Sequence, residues 1–115
     1  MSEQQSPYTQ SAALFQLLAH PARLQILDEL RRGPACVCHL QVVLERPQAY
    51  ISQQLRVLRE ANVVVDEKGG LNVYYRIVDA HVLRLLEETL GPAQSARRID
   101  GCPCPHCAEQ AGCCG

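Results

Sequence analysis

Cysteine is the residue with the most chemistry to offer in this chain, and its seven copies are unevenly placed. Cys36 and Cys38 stand two apart, while Cys102, Cys104, Cys107, Cys113 and Cys114 crowd the last fourteen residues. Thiolates are soft ligands, so close groups of them select thiophilic ions. Three sulfurs suit trivalent arsenic or antimony, whose lone pair takes a fourth corner; four suit Cd(II), Pb(II) or Zn(II). Seven is an odd count, which does not suit a closed disulfide framework. The opening MSEQQSPYTQ has neither the basic nor the apolar region of a secretory signal. No apolar run approaches the ~20 residues that cross a bilayer. The expected location is therefore the cytoplasm, with no membrane partner. There, clustered cysteines bind metal or act in redox chemistry more often than they form structural disulfides.

The elements that must carry these thiols follow from punctuation and period. Residues 1–10 are polar and read as a flexible N-terminal arm. SAALFQLLA favours a first helix from Ser11 to Ala19, and Pro21 suits the first turn of a second, with Leu24, Leu27 and Leu30 on one stripe. Gly33-Pro34 ends it. A short third helix fits Cys36 to Glu45, with Leu40, Val43 and Leu44 as its apolar face. Pro47 opens a fourth, in which Ile51, Leu55 and Leu58 recur at i, i+4 and i+7. Val63-Val64-Val65 and Val73 to Val78 read as two strands of a hairpin turning at Glu67-Lys68-Gly69-Gly70. Asp79 can cap a last helix holding Val82, Leu83, Leu85, Leu86 and Leu90, which Gly91-Pro92 stops. The expected domain spans residues 11–91, and residues 92–115 form a cysteine-rich tail.

Four helices, a hairpin and a final helix are the order of a winged helix-turn-helix, a mainly α (α+β) fold. At 115 residues with 47% hydrophobic content, the chain can build one core, and with 4% aromatics that core must be aliphatic. Its formal net charge of −1 excludes a uniformly basic nucleic-acid binder, so any contact with DNA must rest on a local patch. Residues 46–60 provide one, with Arg46, Arg56 and Arg59 against Glu60 alone. Outside the apolar stripe of the fourth helix lie Gln48, Tyr50, Ser52, Gln53, Gln54 and Arg56. The amides and hydroxyls can reach base edges, and Arg56 and Arg59 suit phosphates, as does Arg76 on the hairpin. The bland reading is an ordinary solvated helix face. Leu14, Phe15, Leu18, Leu83, Leu86 and Leu90 exceed the needs of a four-helix core, so a homodimer burying the first and last helices is expected. No nucleophile–base pair or enclosed pocket is suggested, and the chain is not expected to be an enzyme.

Over roughly residues 14–90 the sequence closely resembles the ArsR/SmtB family of metal-sensing bacterial repressors. Three stretches carry the resemblance: LAHPARLQIL, YISQQLRVLREANVV running into a strand, and GLNVYYRI. It implies a homodimer on double-stranded operator DNA, with the fourth helix in the major groove, the hairpin as wing, and release when metal binds. Two positions depart from the family pattern: Pro47 stands where a Ser commonly opens the recognition helix, and Gln54 where a His is usual.

Arsenite sensors and cadmium/lead sensors of that family carry a Cys-Val-Cys where Cys36-Val37-Cys38 stands. The arsenite sensors add a third Cys three residues on, where this chain has Gln41, and the cadmium/lead sensors complete their site from an N-terminal arm, which here holds no Cys. The expected donors are therefore Cys36 and Cys38 with Cys102, Cys104 and Cys107 of the tail, in the same chain or across the dimer. The expected inducer is As(III)/Sb(III) or Cd(II)/Pb(II), with Zn(II) a further candidate. Residues two apart in a regular helix point about 200° from each other, so shared ligation is expected to unwind the third helix and disturb the fourth. Helix N-termini also favour thiolate over thiol.

Other readings stay open: two buried structural cysteines, a separate zinc knot in the tail, or an inert tail. So do a thiol-redox or persulfide-sensing repressor and a metal storage or carrier module. Asp79-Ala80-His81 resembles the Asp-x-His of zinc sensors, but no acceptor pair follows, so Asp79 is read as a cap. His20 and His39 are expected at helix ends or on the surface, and His106 can ligate zinc within the tail.

Overall fold

Prolines and capping side chains decide where the helices start. The computed structural model describes residues 6–69 and 72–95. Helix α1 (Pro7–Leu18) is capped by Ser6, whose hydroxyl accepts the Thr9 amide at 3.1 Å. Pro7 takes the first turn, where a missing N–H leaves nothing unsatisfied. Residues 7–10 are thus helical, a correction to the expected arm, because a cap and a proline outweigh their polarity. Helix α2 (Pro21–Leu30) opens with Pro21 in the same way.

The three-stranded sheet is the larger difference from expectation. Strand β1 (Ala35–Cys36) precedes α3 (Val37–Leu44), so Cys36 is the N-cap of that helix and not its first residue. After α4 (Gln48–Glu60), strands β2 (Val64–Gly69) and β3 (Asn72–Ile77) form the wing, and α5 (Ala80–Leu90) closes the domain. The sheet order is β1-β3-β2, antiparallel throughout, with Cys36 opposite Tyr74 and Ala35 opposite Tyr75. A two-residue strand has no alternation to read, and its partner lies far along the chain. Pairing in the wing continues through Glu67↔Tyr74, Lys68↔Val73 and Gly69↔Asn72, so the expected turn residues 67–69 are strand.

The core is aliphatic, as composition requires. Ile26 and Leu27 of α2, Leu40 of α3, and Ile51, Leu55 and Leu58 of α4 are all fully buried. Val63 and Val64 at the start of the wing and Val82 and Leu86 of α5 complete it. Leu86, expected at a dimer face, is a core residue with 2% exposure, because it shares one face of α5 with Val82 at i, i+4. Asp79 caps α5 by accepting the His81 and Val82 amides at 2.9 and 3.3 Å. Helix α1 buries none of its residues fully and leaves Phe15 59% exposed. Among the described residues, no helix is long and apolar enough to cross a membrane.

One polar pair sits inside. His39 of α3, expected at the surface, is wholly buried, with Nε2 2.7 Å from Glu29 Oε2 of α2. Buried polar groups persist where they find partners, and this pair joins the two helices. His39→Ala leaves the Glu29 carboxylate without that partner and opens space beside it. We expect unfolding in urea to show a loss of about 3 kcal/mol. A loss well under about 1 kcal/mol would show that α2 and α3 do not depend on the bond.

Candidate functional site

Helix α4 divides into a buried stripe and a polar face. Gln48, Ser52, Gln53, Arg56 and Arg59 are exposed, and Tyr50 is half-buried against the core. The guanidinium of Arg46 lies 4.7 Å from the centre of the Tyr50 ring, a cation–π contact that holds both side chains at the start of the helix. The cations are balanced by acids: Arg56 with Glu60 at 3.3 Å, Arg59 with Asp66 at 3.3 Å, and Arg76 with Glu67 at 2.9 Å. Exposed pairs of this kind contribute about 0–1 kcal/mol, so a phosphate can displace the carboxylate at little cost. Arg59 and Asp66 also bracket Tyr75 at the base of the wing. Burial, and then the Asp66 carboxylate, push the Tyr75 phenol above its ordinary pKa, against the opposing pull of Arg59.

Gln54 is a correction. It is 6% exposed, and its Oε1 accepts a hydrogen bond from Arg23 Nε at 2.8 Å, so it lies on the inner face and not with Gln53. The sequence held the signal: positions 51, 54, 55 and 58 fall at i, i+3, i+4 and i+7, one face of a helix.

The thiols are arranged differently from a helical pair. Cys36 is buried and Cys38 exposed, and their sulfurs lie 3.0 Å apart. Cys36 has extended backbone, φ −90° and ψ 171°, while Cys38 is in the first turn of α3. The chain bends between them, so both sulfurs reach one point with the helix intact. The expected divergence of the two side chains, and the unwinding it required, do not apply. Among the described residues, no three His, Cys, Asp or Glu side chains gather as a metal site. By itself the pair brings together two sulfurs, fewer than the three or four that a closed thiolate site uses. Cys102, Cys104, Cys107 and His106 lie outside the described residues, as do Cys113 and Cys114. His20 stands at the N-cap of α2, and His81 at the start of α5.

The segment after α5 runs beside α2. Arg31 Nη1 donates to the Gly91 carbonyl at 2.7 Å while its Nε bonds Asp28 at 2.8 Å, and Arg32 Nη1 donates to the Ser95 carbonyl at 3.4 Å. An open apolar groove of about 340 Å³ lies between α1 and α5, lined by Phe15, Leu18, Leu24, Leu85, Leu86 and Thr89. Sequence reasoning missed the β1 pairing and both arginine links, since each joins residues distant in the chain.

Residues 20–65, from the start of α2 into the wing, match the profile of the bacterial regulatory protein, arsR family. The chain is 42% identical over 81 residues to the HTH-type transcriptional regulator NmtR of Mycobacterium tuberculosis, covering 70% of this chain and 68% of that protein. It is 40% identical over 77 residues to the arsenical resistance operon repressor of Bacillus subtilis, covering 66% and 73%. Among solved structures it is similar to the AntR antimony-specific transcriptional repressor, with TM-score 0.65 and 36% identity over 70% of this chain and 74% of that one.

The two faces of α4 should separate in experiment. Gln53→Ala is expected to lower specific duplex affinity by roughly 1–3 kcal/mol and leave the melting temperature unchanged. Gln54→Ala should lower the melting temperature by leaving Arg23 Nε without its acceptor. Equal effects of the two on stability would contradict the assignment of faces.

Proposed function

Because the chain belongs to the ArsR family of bacterial regulatory proteins, we propose that it is a cytoplasmic, homodimeric repressor released from its operator when a thiophilic ion binds Cys36 and Cys38. Membership makes it a DNA-binding transcriptional regulator and not an enzyme, with a winged helix-turn-helix fold. The observation that carries the proposal is the 3.0 Å approach of the two sulfurs at the junction of β1 and α3.

In this reading α4 enters the major groove. Gln48, Tyr50, Ser52 and Gln53 face base edges, and Arg56, Arg59 and Arg76 face phosphates. The ion, As(III)/Sb(III) or a soft divalent ion such as Cd(II)/Pb(II), takes the two sulfurs and further thiolates of the tail, Cys102, Cys104 or Cys107. The arsenical and antimony specificities in the relatives' names support this class of inducer. The links from Arg31 and Arg32 to Gly91 and Ser95 support a tail that starts beside α2, close in sequence to Cys36. Ligation acts on two elements at once. Cys36 is paired with Tyr74 of the wing, and Cys38 sits in the helix packed on α4. Drawing the tail onto both shifts the wing and the reading helix relative to each other.

The dimer is proposed from Phe15 of α1, which lines the α1–α5 groove, and from Leu83 and Leu90 of α5, exposed by 59%, 37% and 45% respectively. Exposed apolar area of this kind marks an interaction surface. Sedimentation should find a dimer at micromolar concentration, and a monomer bound one to a site would refute it. Phe15→Glu is expected to yield monomer and to abolish operator binding.

Inducer response is read by fluorescence anisotropy of labelled operator. Cys36→Ser or Cys38→Ser should keep DNA binding, because Ser preserves size, yet remove release by As(III), Sb(III), Cd(II) or Pb(II). Deleting residues 101–115 should do the same, since two sulfurs cannot enclose a trigonal ion. Unchanged release after the deletion would make the tail an independent zinc site. Full response in both the double cysteine variant and the deletion would end the thiolate reading. Release by oxidant with loss of free thiols, and none by metal, identifies a redox sensor. Metal binding that no duplex competes with identifies a storage module.

A further inference from the structure

We propose that Arg23 is a positioning residue for operator recognition, holding the reading helix at a set distance from the dimer face and so defining the half-site spacing that the protein accepts. The inference rests on the proposed roles of α4 as reader and of the α1–α5 groove as dimer face.

Arg23 stands in the first turn of α2, at the corner where α1 ends. Its guanidinium makes two bonds in different directions. Nε donates to Gln54 Oε1 at 2.8 Å, on the inner face of α4. Nη1 donates to the Leu17 carbonyl at 3.1 Å, in the last turn of α1. The last carbonyls of a helix lack partners within it, and a cation there also suits the negative end of the helix dipole. A single planar group thus satisfies the end of α1 and grips α4 between Ile51 and Leu55, both fully buried. Arginine suits this, because its donors are fixed in a fork that a lysine cannot reproduce.

The functional weight comes from what the two helices carry. Helix α1 presents Phe15 and Leu18 to the groove shared with α5, and α4 presents Gln53 and Ser52 outward. In a two-fold dimer, the separation of the reading helices is set by how each α4 sits relative to the dimer face. Half-sites must match that separation, about one helical turn of DNA. Gln54 therefore contributes to recognition from the inside, through Arg23, without touching a base.

The test uses the full chain and a palindromic duplex selected from a random library by the wild-type protein. Affinity is measured for that duplex and for versions with the half-sites moved by one and two base pairs. The wild type should reject the moved half-sites. Arg23→Met should lose about tenfold on the selected duplex, the scale of a hydrogen bond to a charged group. It should discriminate little among the three spacings, with an unchanged salt slope. Gln54→Leu should behave likewise, and Gln54→Glu, which keeps an acceptor, should restore discrimination. Wild-type spacing preference in Arg23→Met overturns the inference. So does a salt slope reduced by about one, which would make Arg23 a phosphate contact. If Arg23→Met does not fold, Gln54→Leu, which retains the bond to Leu17, decides the question alone. Gln53→Ala runs in parallel. If it binds as wild type, α4 is not the reader and both readings fall; if it weakens while the Arg23 and Gln54 variants keep their spacing preference, only the positioning role fails.

Discussion

The described helices are short enough that each would be marginal at best alone, and everything else depends on how their apolar faces meet. The described helices run from eight residues in α3 to thirteen in α4, and isolated helices below about 12–15 residues are marginal in water. Helix α3 survives because Leu40 and Leu44 enter the shared core and His39 bonds Glu29 behind them. The segment that carries Cys38 is therefore held by tertiary contacts and not by its own propensity. Such an element is a suitable place for a ligand to act, since its position follows the contacts around it.

Helix α4 shows how one element meets two demands. Its stripe of Ile51, Gln54, Leu55 and Leu58 is given to the fold, and the remaining face is free for a partner. Gln54 is polar yet belongs to the first group. Its burial is tolerable because Arg23 supplies a donor at 2.8 Å, and an amide without such a partner would be destabilising there. The same logic governs Arg31, whose 6% exposed side chain is satisfied by Asp28 and the Gly91 carbonyl. Part-buried polar links add to the apolar core in connecting α1, α2, α4 and the end of α5.

The thiol pair turns on a one-residue difference in where α3 begins. Had Cys36 been helical, its sulfur would diverge from that of Cys38. Pairing of Ala35 and Cys36 with Tyr75 and Tyr74 holds Cys36 extended instead, and the sulfurs converge. The wing strand thus shapes the site that is proposed to control it. In that proposal the ligand and DNA surfaces meet through a shared backbone ladder.

Much of this was legible in the residues themselves. Helical stripes, the prolines opening α2 and α4, and the Asp79 cap are local signals, carried by neighbours within a turn or two of chain. So is the cysteine spacing, which by itself points to soft-metal chemistry. Three features were decided only by the tertiary structure: the strand at Ala35–Cys36, the burial of His39 with Glu29, and the pairing of the inward-facing Gln54 with Arg23. Each joins residues separated by many positions, and none follows from local preference. A short strand exists only where a partner offers its backbone. A buried histidine or glutamine is stable only where its partner waits at hydrogen-bond distance. Sequence period determines which face of a helix is apolar, but only packing determines which polar residues that face can hold.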